Sequence, residues 1–290
     1  MIRHLLQLIW NQRKQNAWLW AELLLVSVFL WFLVDYLYVM GRTYTAPLGF
    51  DIRHTYSIVI SSLSERSPDY IPKEKRERPD GVHLLTALDR IRTYPGVESA
   101  CLTDGGMPYY MGSRNLVWRI DTLQVPCRYA FVTPEFFDVF RIYDKEGETA
   151  SLKRAIEDNN SIVISADVET MNPGLSLLGQ KAYRGNVTDE IEETIRGISV
   201  PIRRHEYTKA EPNVYRALRL SRMEEGYYEG MIDAVRLCVR VRPDVDNADF
   251  PARFRKDMAE QLRLGNLYLL DVQPLSYIRD GYILSLIHIS

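Results

Sequence analysis

Apolar positions along this chain follow two regimes. From Ala17 to Met40 they are almost unbroken (AWLWAELLLVSVFLWFLVDYLYVM); afterwards they recur with the periods that mark strands and amphipathic helices. The unbroken run is 24 residues long, and a membrane-spanning helix needs roughly 20 mostly apolar residues. Glu22 and Asp35 lie towards its ends, where snorkelling lowers the cost of a charge, and Trp18, Trp20, Tyr36 and Tyr38 stand where interfacial aromatic belts form. A secretory signal would have an apolar region of about 7 to 15 residues and small residues at a cleavage site. Tyr36, Tyr38 and Met40 occupy that place instead. The run therefore predicts a transmembrane helix over 17–40, a buried helix of a soluble domain being the competing reading.

Ahead of it, Ile2, Leu5, Leu6, Leu8, Ile9 and Trp10 alternate with polar residues, which fits either a short amphipathic leader over 1–16 or a disordered one. Arg3, Arg13 and Lys14 precede the span closely, and Arg42 and Arg53 follow it. This modest positive-inside bias puts the N-terminus, with a leader lying on the membrane face, in the cytoplasm and the bulk of the chain outside it.

The remaining pattern is α+β. Arg53 to Ser62 reads as a strand; Asp80 to Tyr94 reads as a helix with Val82, Leu85, Leu88 and Ile91 on one stripe; Val97 to Thr103 reads as a second strand. Strand, helix, strand is half of a ferredoxin-like unit. The other half comes only after about 130 residues: Asp233 to Arg242 (DAVRLCVRVR) alternates as a strand, Asn247 to Leu264 is amphipathic, and Asn266 to Leu275 reads as a last strand. Such split halves form one sheet if the middle segment is an insertion with its own core. Four short strands are predicted within it, at Leu116–Asp121, Val125–Val132, Ser161–Ser165 and Glu193–Pro201.

Composition narrows the chemistry. The net charge of -2, with no single-sign stripe, argues against nucleic acid as a partner. Cys101, Cys127 and Cys238 allow at most one disulfide and read first as small buried residues. No phosphate-binding GxxxxGK[ST], no GxGxxG after a strand, no GxSxG and no HExxH occurs, so no catalytic, cofactor-binding or metal residue is assigned. His4, His54, His83, His205 and His288 are scattered and read as solvated or capping residues. Lys73 to Arg78 (KEKRER) reads as a solvated loop, and Asp189 to Glu193 lacks the spacing of a calcium loop. Asn159-Asn160-Ser161 and Asn186-Val187-Thr188 match the glycosylation sequon weakly.

Five ordered landmarks carry a family resemblance: Tyr94-Pro95-Gly96-Val97-Glu98, Val132-Thr133-Pro134-Glu135-Phe136-Phe137-Asp138-Val139-Phe140, Ser161 to Ser165, Leu178-Gly179-Gln180-Lys181, and Ile195-Arg196-Gly197-Ile198. Together, after an N-terminal span, they resemble ABC-transporter permeases of the MacB and FtsX-like group with a MacB-type periplasmic core domain, over residues 17 to 280. Ser165 and Leu177 stand where the group often has Asn and Pro. The resemblance implies an extracytoplasmic porter-like split βαβ-βαβ module over 41–106 and 231–280, with a small α/β subdomain inserted over 107–230. It also implies three further spans downstream, so that 281–290 (GYILSLIHIS) is expected to be a truncated or foreign end. The implied role is mechanical, a bacterial inner-membrane permease subunit working with a separate cytoplasmic ABC ATPase, a second permease chain in a homo- or heterodimer, membrane lipid, and a periplasmic adaptor or lipoprotein. A single-pass membrane-anchored extracytoplasmic sensor or binding module is the alternative. A tethered hydrolase is a third reading, requiring a histidine within reach of a serine or cysteine.

Overall fold

The computed structural model describes Trp10 and residues 17–110, 112, 114–185 and 190–289. The leader expected over 1–16, Trp10 excepted, the sequon at Asn186 and the acidic Asp189 lie outside the described residues. The chain divides into two units, Met1–Ala46 with Glu206–Lys209, and Pro47–His205 with Ala210–Ser290.

In the first unit, helix α1 (Ala17–Thr45) is 29 residues long and has no buried residue. At about 1.5 Å per residue it exceeds a hydrocarbon core of about 30 Å. It continues past Met40 and through Gly41 because no proline intervenes before Pro47, and the Thr45 hydroxyl closes the last turn by donating to the Gly41 carbonyl at 3.0 Å. Among the described residues it is the one helix long and apolar enough to cross a membrane. Complete exposure is the opposite of what a core helix of a soluble domain shows.

The second unit contains, in order, β1 (Thr55–Ser62), α2 (Asp80–Arg92), β2 (Val97–Asp104), β3 (Asn115–Ile120), β4 (Leu123–Val132), α3 (Phe136–Phe140), α4 (Ala150–Ala155), β5 (Ser161–Ser165), α5 (Asp167–Met171), β6 (Lys181–Arg184), β7 (Ile191–Ser199), β8 (Asn213–Ala217), α6 (Leu220–Glu224), β9 (Val235–Val241), α7 (Phe250–Met258), β10 (Leu267–Pro274) and α8 (Leu275–Ile289). Strands β10, β1, β9 and β2 lie side by side in that order, every neighbour antiparallel. This is the order a βαβ pair gives when each half straddles a strand of the other, so the split ferredoxin-like unit is present. One face is covered by α2, through Leu84, Leu88 and Ile91, and by α7, through Phe250, Phe254 and Met258.

The stretch between β2 and β9 holds a feature that local pattern did not announce. Strand β4 touches β2 only at Thr103–Val132 and Asp104–Phe131, and from it the ladder runs β4, β3, β6, β7, β5, β8. Strand β8 then pairs in parallel with β4, from Arg128–Asn213 to Val132–Ala217, and so closes a six-stranded barrel. Its lumen is filled by Trp118, Ile120, Cys127, Ile164, Ile195 and Val214 among others. Closure removes free edges, which explains how strands as short as β6, of four residues, and β8, of five, persist. Neither is long enough to show a periodicity, and both escaped the sequence reading.

A third core lies on the second face of the four-stranded sheet, where Phe136, Phe137 and Phe140 of α3 pack with Tyr215, Cys101 and Cys238. Both faces of β2 and β9 are therefore dry, and Cys101 and Cys238 oppose each other as free, buried thiols. Burial pushes the Cys101 thiol well above its ordinary value.

The landmarks have physical reasons. Gly96, at φ 92°, makes the turn from α2 into β2 where a Cβ would meet Val245 at 2.7 Å. Gly197 lets β7 lie flat on Val163 and Ala155. Asp144 organises the turn before α4: its carboxylate accepts the amides of Glu146 at 3.0 Å and Glu148 at 2.8 Å and the hydroxyl of Ser151. Burial works to raise this carboxyl, but those hydrogen bonds outweigh it and hold the group below its ordinary value. A depressed carboxyl stabilises the fold above its unfolded value, about 3.9, and that stabilisation is lost as pH falls through the lower folded value. The unfolding temperature of Asp144→Asn is therefore expected to fall less than that of the unsubstituted chain on acidification below about pH 4; parallel curves would contradict the assignment.

Candidate functional site

Strand β9 ties the start of the sheet-rich domain to its core. In Val235 to Val241 the alternate positions Leu237 and Val239 face α2 and α7, which places Cys238 and Arg240 on the opposite face. That face is covered, so Arg240 is 1% exposed. Its guanidinium donates through Nε to the Val139 carbonyl, through Nη1 to that of Arg53 and through Nη2 to that of Asp51, each at 2.7 Å. Burial pushes the guanidinium below its ordinary value, with Arg141 adding to this and Asp51 opposing it. It stays charged, and all three of its nitrogens are used.

Two of those carbonyls belong to the segment Pro47–Arg53 that leads into β1. Further ties hold that segment: the Arg203 amide donates to Leu48 at 3.0 Å and the Asp51 amide to Phe140 at 2.8 Å. Gly49 adopts φ 84°, and a Cβ there would lie 2.1 Å from the Pro201 carbonyl oxygen. Burial works against the charge on Asp51, but Arg53, through its side chain and amide, and Arg240 hold its carboxyl below the ordinary value.

At the other end β10 passes into α8 with no intervening residue. Tyr56 of β1 pairs with Pro274 of β10, so the start of one strand and the end of the other are adjacent. Leu275 is fully buried in the core beneath α3, and Tyr282, one of the buried residues of α8, meets Tyr109 edge-on at 5.9 Å and His205 at a tilt at 5.7 Å. Tyr109 in turn meets Phe50 edge-on at 5.8 Å. Entry segment and exit helix thus share one aromatic, which is itself held at φ 58°.

The histidines do not gather. His54, at φ 58°, pairs through Nδ1 with Asp246 at 2.5 Å, and the Tyr56 hydroxyl donates to the same carboxylate. Its partner is a carboxylate rather than a nucleophile. His83 lies on α2, packed where a Cβ on Gly265 would meet it. His4 and the side chain of His288 lie outside the described residues. Among the described residues no three metal-ligating side chains cluster. In KEKRER, Arg76 departs from the solvated reading: it pairs with Asp80 and Glu229, each at 3.0 Å, and donates to Tyr70. Arg240 itself was missed, because an arginine alternating with Val and Leu reads as solvent-facing. The available signal was Cys238, apolar on that same face.

No protein-family model and no curated protein matches this chain. Among solved structures it is similar to a domain of a putative permease protein from Porphyromonas gingivalis, with a TM-score of 0.51 at 19% identity over 79% of this chain and 92% of that one. It is also similar to the periplasmic region of MacB from Actinobacillus actinomycetemcomitans (TM-score 0.46, 9% identity, 83% and 97%). The extracellular domain of the noncanonic ABC-type transporter YknZ from Gram-positive bacteria gives a TM-score of 0.42, 11% identity, 74% and 100%. An apolar N-terminal helix followed by a sheet-rich α+β domain is what the landmarks lead one to expect, and the first of these structures is similar in fold over 79% of the chain.

Proposed function

We propose that the chain is a permease subunit of a MacB-like ABC transporter, passing ATP-driven motion between the membrane and an extracytoplasmic domain for export or periplasmic work. The observation that carries this reading is the paired anchoring of the domain's ends. The segment before β1 is bound to β9 and α3 by Arg240, and β10 runs directly into α8. Ends fixed in this way move the sheet as a body, which is what coupling through a two-state element needs. In this proposal α1 is the first span, with the N-terminus cytoplasmic and the main domain in the periplasm. The porter-like module comprises 41–106 and 231–280, and 107–230 is its insertion. Partners are a separate cytoplasmic ATPase, a second permease chain, lipid, and a periplasmic adaptor or lipoprotein.

Purification of the tagged chain from its native membrane tests this. A nucleotide-hydrolysing subunit is expected to come with it, and its absence at full yield of chain would favour an anchored sensor or binding module. In the reconstituted complex, replacing Gly41 to Pro47 by a flexible Gly/Ser stretch is expected to leave ATP hydrolysis while reducing transport at least about tenfold. Undiminished transport would remove the coupling role.

A further inference from the structure

The barrel changes character along its axis. Moving two residues along each strand keeps a side chain on the same face. One step from the apolar lumen, Trp118 gives way to Leu116, Cys127 to Tyr129, Ala182 to Arg184, Ile195 to Glu193 and Val214 to Arg216. The register places these at one end, since Trp118 pairs with Arg184 and Phe131 with Arg216. Between them is a cavity of about 210 Å³, bounded on its outer side by the segment from Arg219 to Tyr228. Open barrel ends are a recurrent place for small ligands.

Charge gives this cavity its sign. Five guanidinium groups line it, those of Arg114, Arg184, Arg216, Arg219 and Arg222. Arg184 and Arg216 share the buried carboxylate of Glu193, and Arg114 pairs with Asp104 at 2.9 Å. Two carboxylates against five guanidiniums leave an excess of three positive charges, in a chain whose net charge is -2. Among the described residues Arg219 and Arg222 have no acidic partner within ion-pair distance. Arg216 is 8% exposed, and its plane lies over the Phe131 ring at 5.0 Å, while Arg222 lies over Tyr227 at 5.2 Å. Stacking of this kind presets guanidinium forks, the geometry that grips carboxylates and phosphates by two hydrogen bonds. Trp118, Tyr129 and Tyr228 supply apolar walls.

We propose that this open end of the barrel binds a small organic anion, a phosphate or carboxylate carried on an aromatic or other apolar group. Glu193 holds two arginines in place from below, and Arg219 and Arg222 close over the headgroup. The assignment is independent of the permease reading, since it concerns a site inside the sheet-rich domain whatever that domain is coupled to.

Calorimetric titration of the full chain in a non-ionic detergent tests it with phenyl phosphate as the probe. Saturable one-to-one binding at millimolar affinity or better is expected, weakened by salt, with inorganic phosphate at least about tenfold weaker and benzyl alcohol not binding. Competition by benzoate would extend the site to carboxylates, and its failure would confine it to phosphates, both within the proposal. The double variant Arg219→Gln with Arg222→Gln, which breaks no ion pair, is expected to lose at least about tenfold in affinity. Removing the remote exposed Arg242 and Arg263 instead should change nothing. Absence of saturable binding, equal affinity in the double variant, or binding of benzyl alcohol as tight as that of phenyl phosphate would overturn the proposal.

Discussion

Arg240→Met is expected to destabilise the domain by about 3–5 kcal/mol, a large share of the roughly 5–15 kcal/mol that holds an ordinary domain together. Methionine fills most of the volume but donates nothing, so the carbonyls of Asp51, Arg53 and Val139 each lose a bond of 2.7 Å from a charged donor. A buried acceptor left unpaired costs about 1–3 kcal/mol, and three of them exceed any gain from relieving the buried charge. For a domain of this size the unfolding temperature should drop by about 10 °C, read by near-ultraviolet circular dichroism on the full chain in detergent. Arg240→Lys should recover only part, because one ammonium is a point donor where three carbonyls surround a fork. Arg53→Gln is the control, since that side chain is 78% exposed and its loss should leave the unfolding temperature nearly unchanged. A change below about 1 kcal/mol for Arg240→Met would show that the three carbonyls find other partners and that the entry segment is not held as described.

Glu193→Ala should be nearly as damaging, at about 3–5 kcal/mol, for the opposite reason: it leaves positive charge without its counter-ion. Glu193 is 1% exposed and accepts from Arg216 Nε at 2.7 Å, Arg184 Nε at 3.2 Å and Trp118 Nε1 at 3.1 Å. Without it the two guanidiniums repel inside the mouth of the barrel and the indole donor loses its acceptor. Glu193→Gln keeps an acceptor while removing the charge and should cost less, about 1–3 kcal/mol. The two substitutions differ in one further respect. In the glutamine variant, still folded, the mouth carries one more net positive charge, and phenyl phosphate should bind more tightly than to the unsubstituted chain. Denaturant titration of both variants gives the stabilities; a loss under about 1 kcal/mol for Glu193→Ala would mean that water already reaches this end of the barrel.

Legibility in the sequence followed the range of each signal. The helix Asp80–Arg92 and the strands Thr55–Ser62, Val97–Asp104, Val235–Val241 and Leu267–Pro274 fall within a few residues of where periodicity put them, because alternation and three-to-four spacing are local. The helix expected over Asn247 to Leu264 is shorter, Phe250–Met258, with Pro251 inside its first turn and Gly265 closing the bend beyond it. Strand Ser161–Ser165 was legible as a short β-branched run, while Asn213–Ala217, nearly as buried, carries too mixed a pattern. The same limit applies to chemistry. Arg216 and Arg240 sit in strands at positions that a one-sided sheet would turn to water, and each is buried because something distant covers that side.

By itself the sequence determined that this protein has one long apolar helix among its described residues, a split strand-helix-strand pair, and no recognisable nucleotide or catalytic motif. Those are properties of contiguous residues, set by side-chain period and by length. The tertiary structure alone decided that six strands close into a barrel, that the second face of β2 and β9 is dry, and that five arginines meet at one cavity while a sixth binds the entry to β1. Closure depends on β8 reaching β4 across some 80 residues of chain, and coverage depends on α3 lying beneath β9, about 100 residues away. Burial of a charge is a property of its surroundings, and no window along the chain contains them.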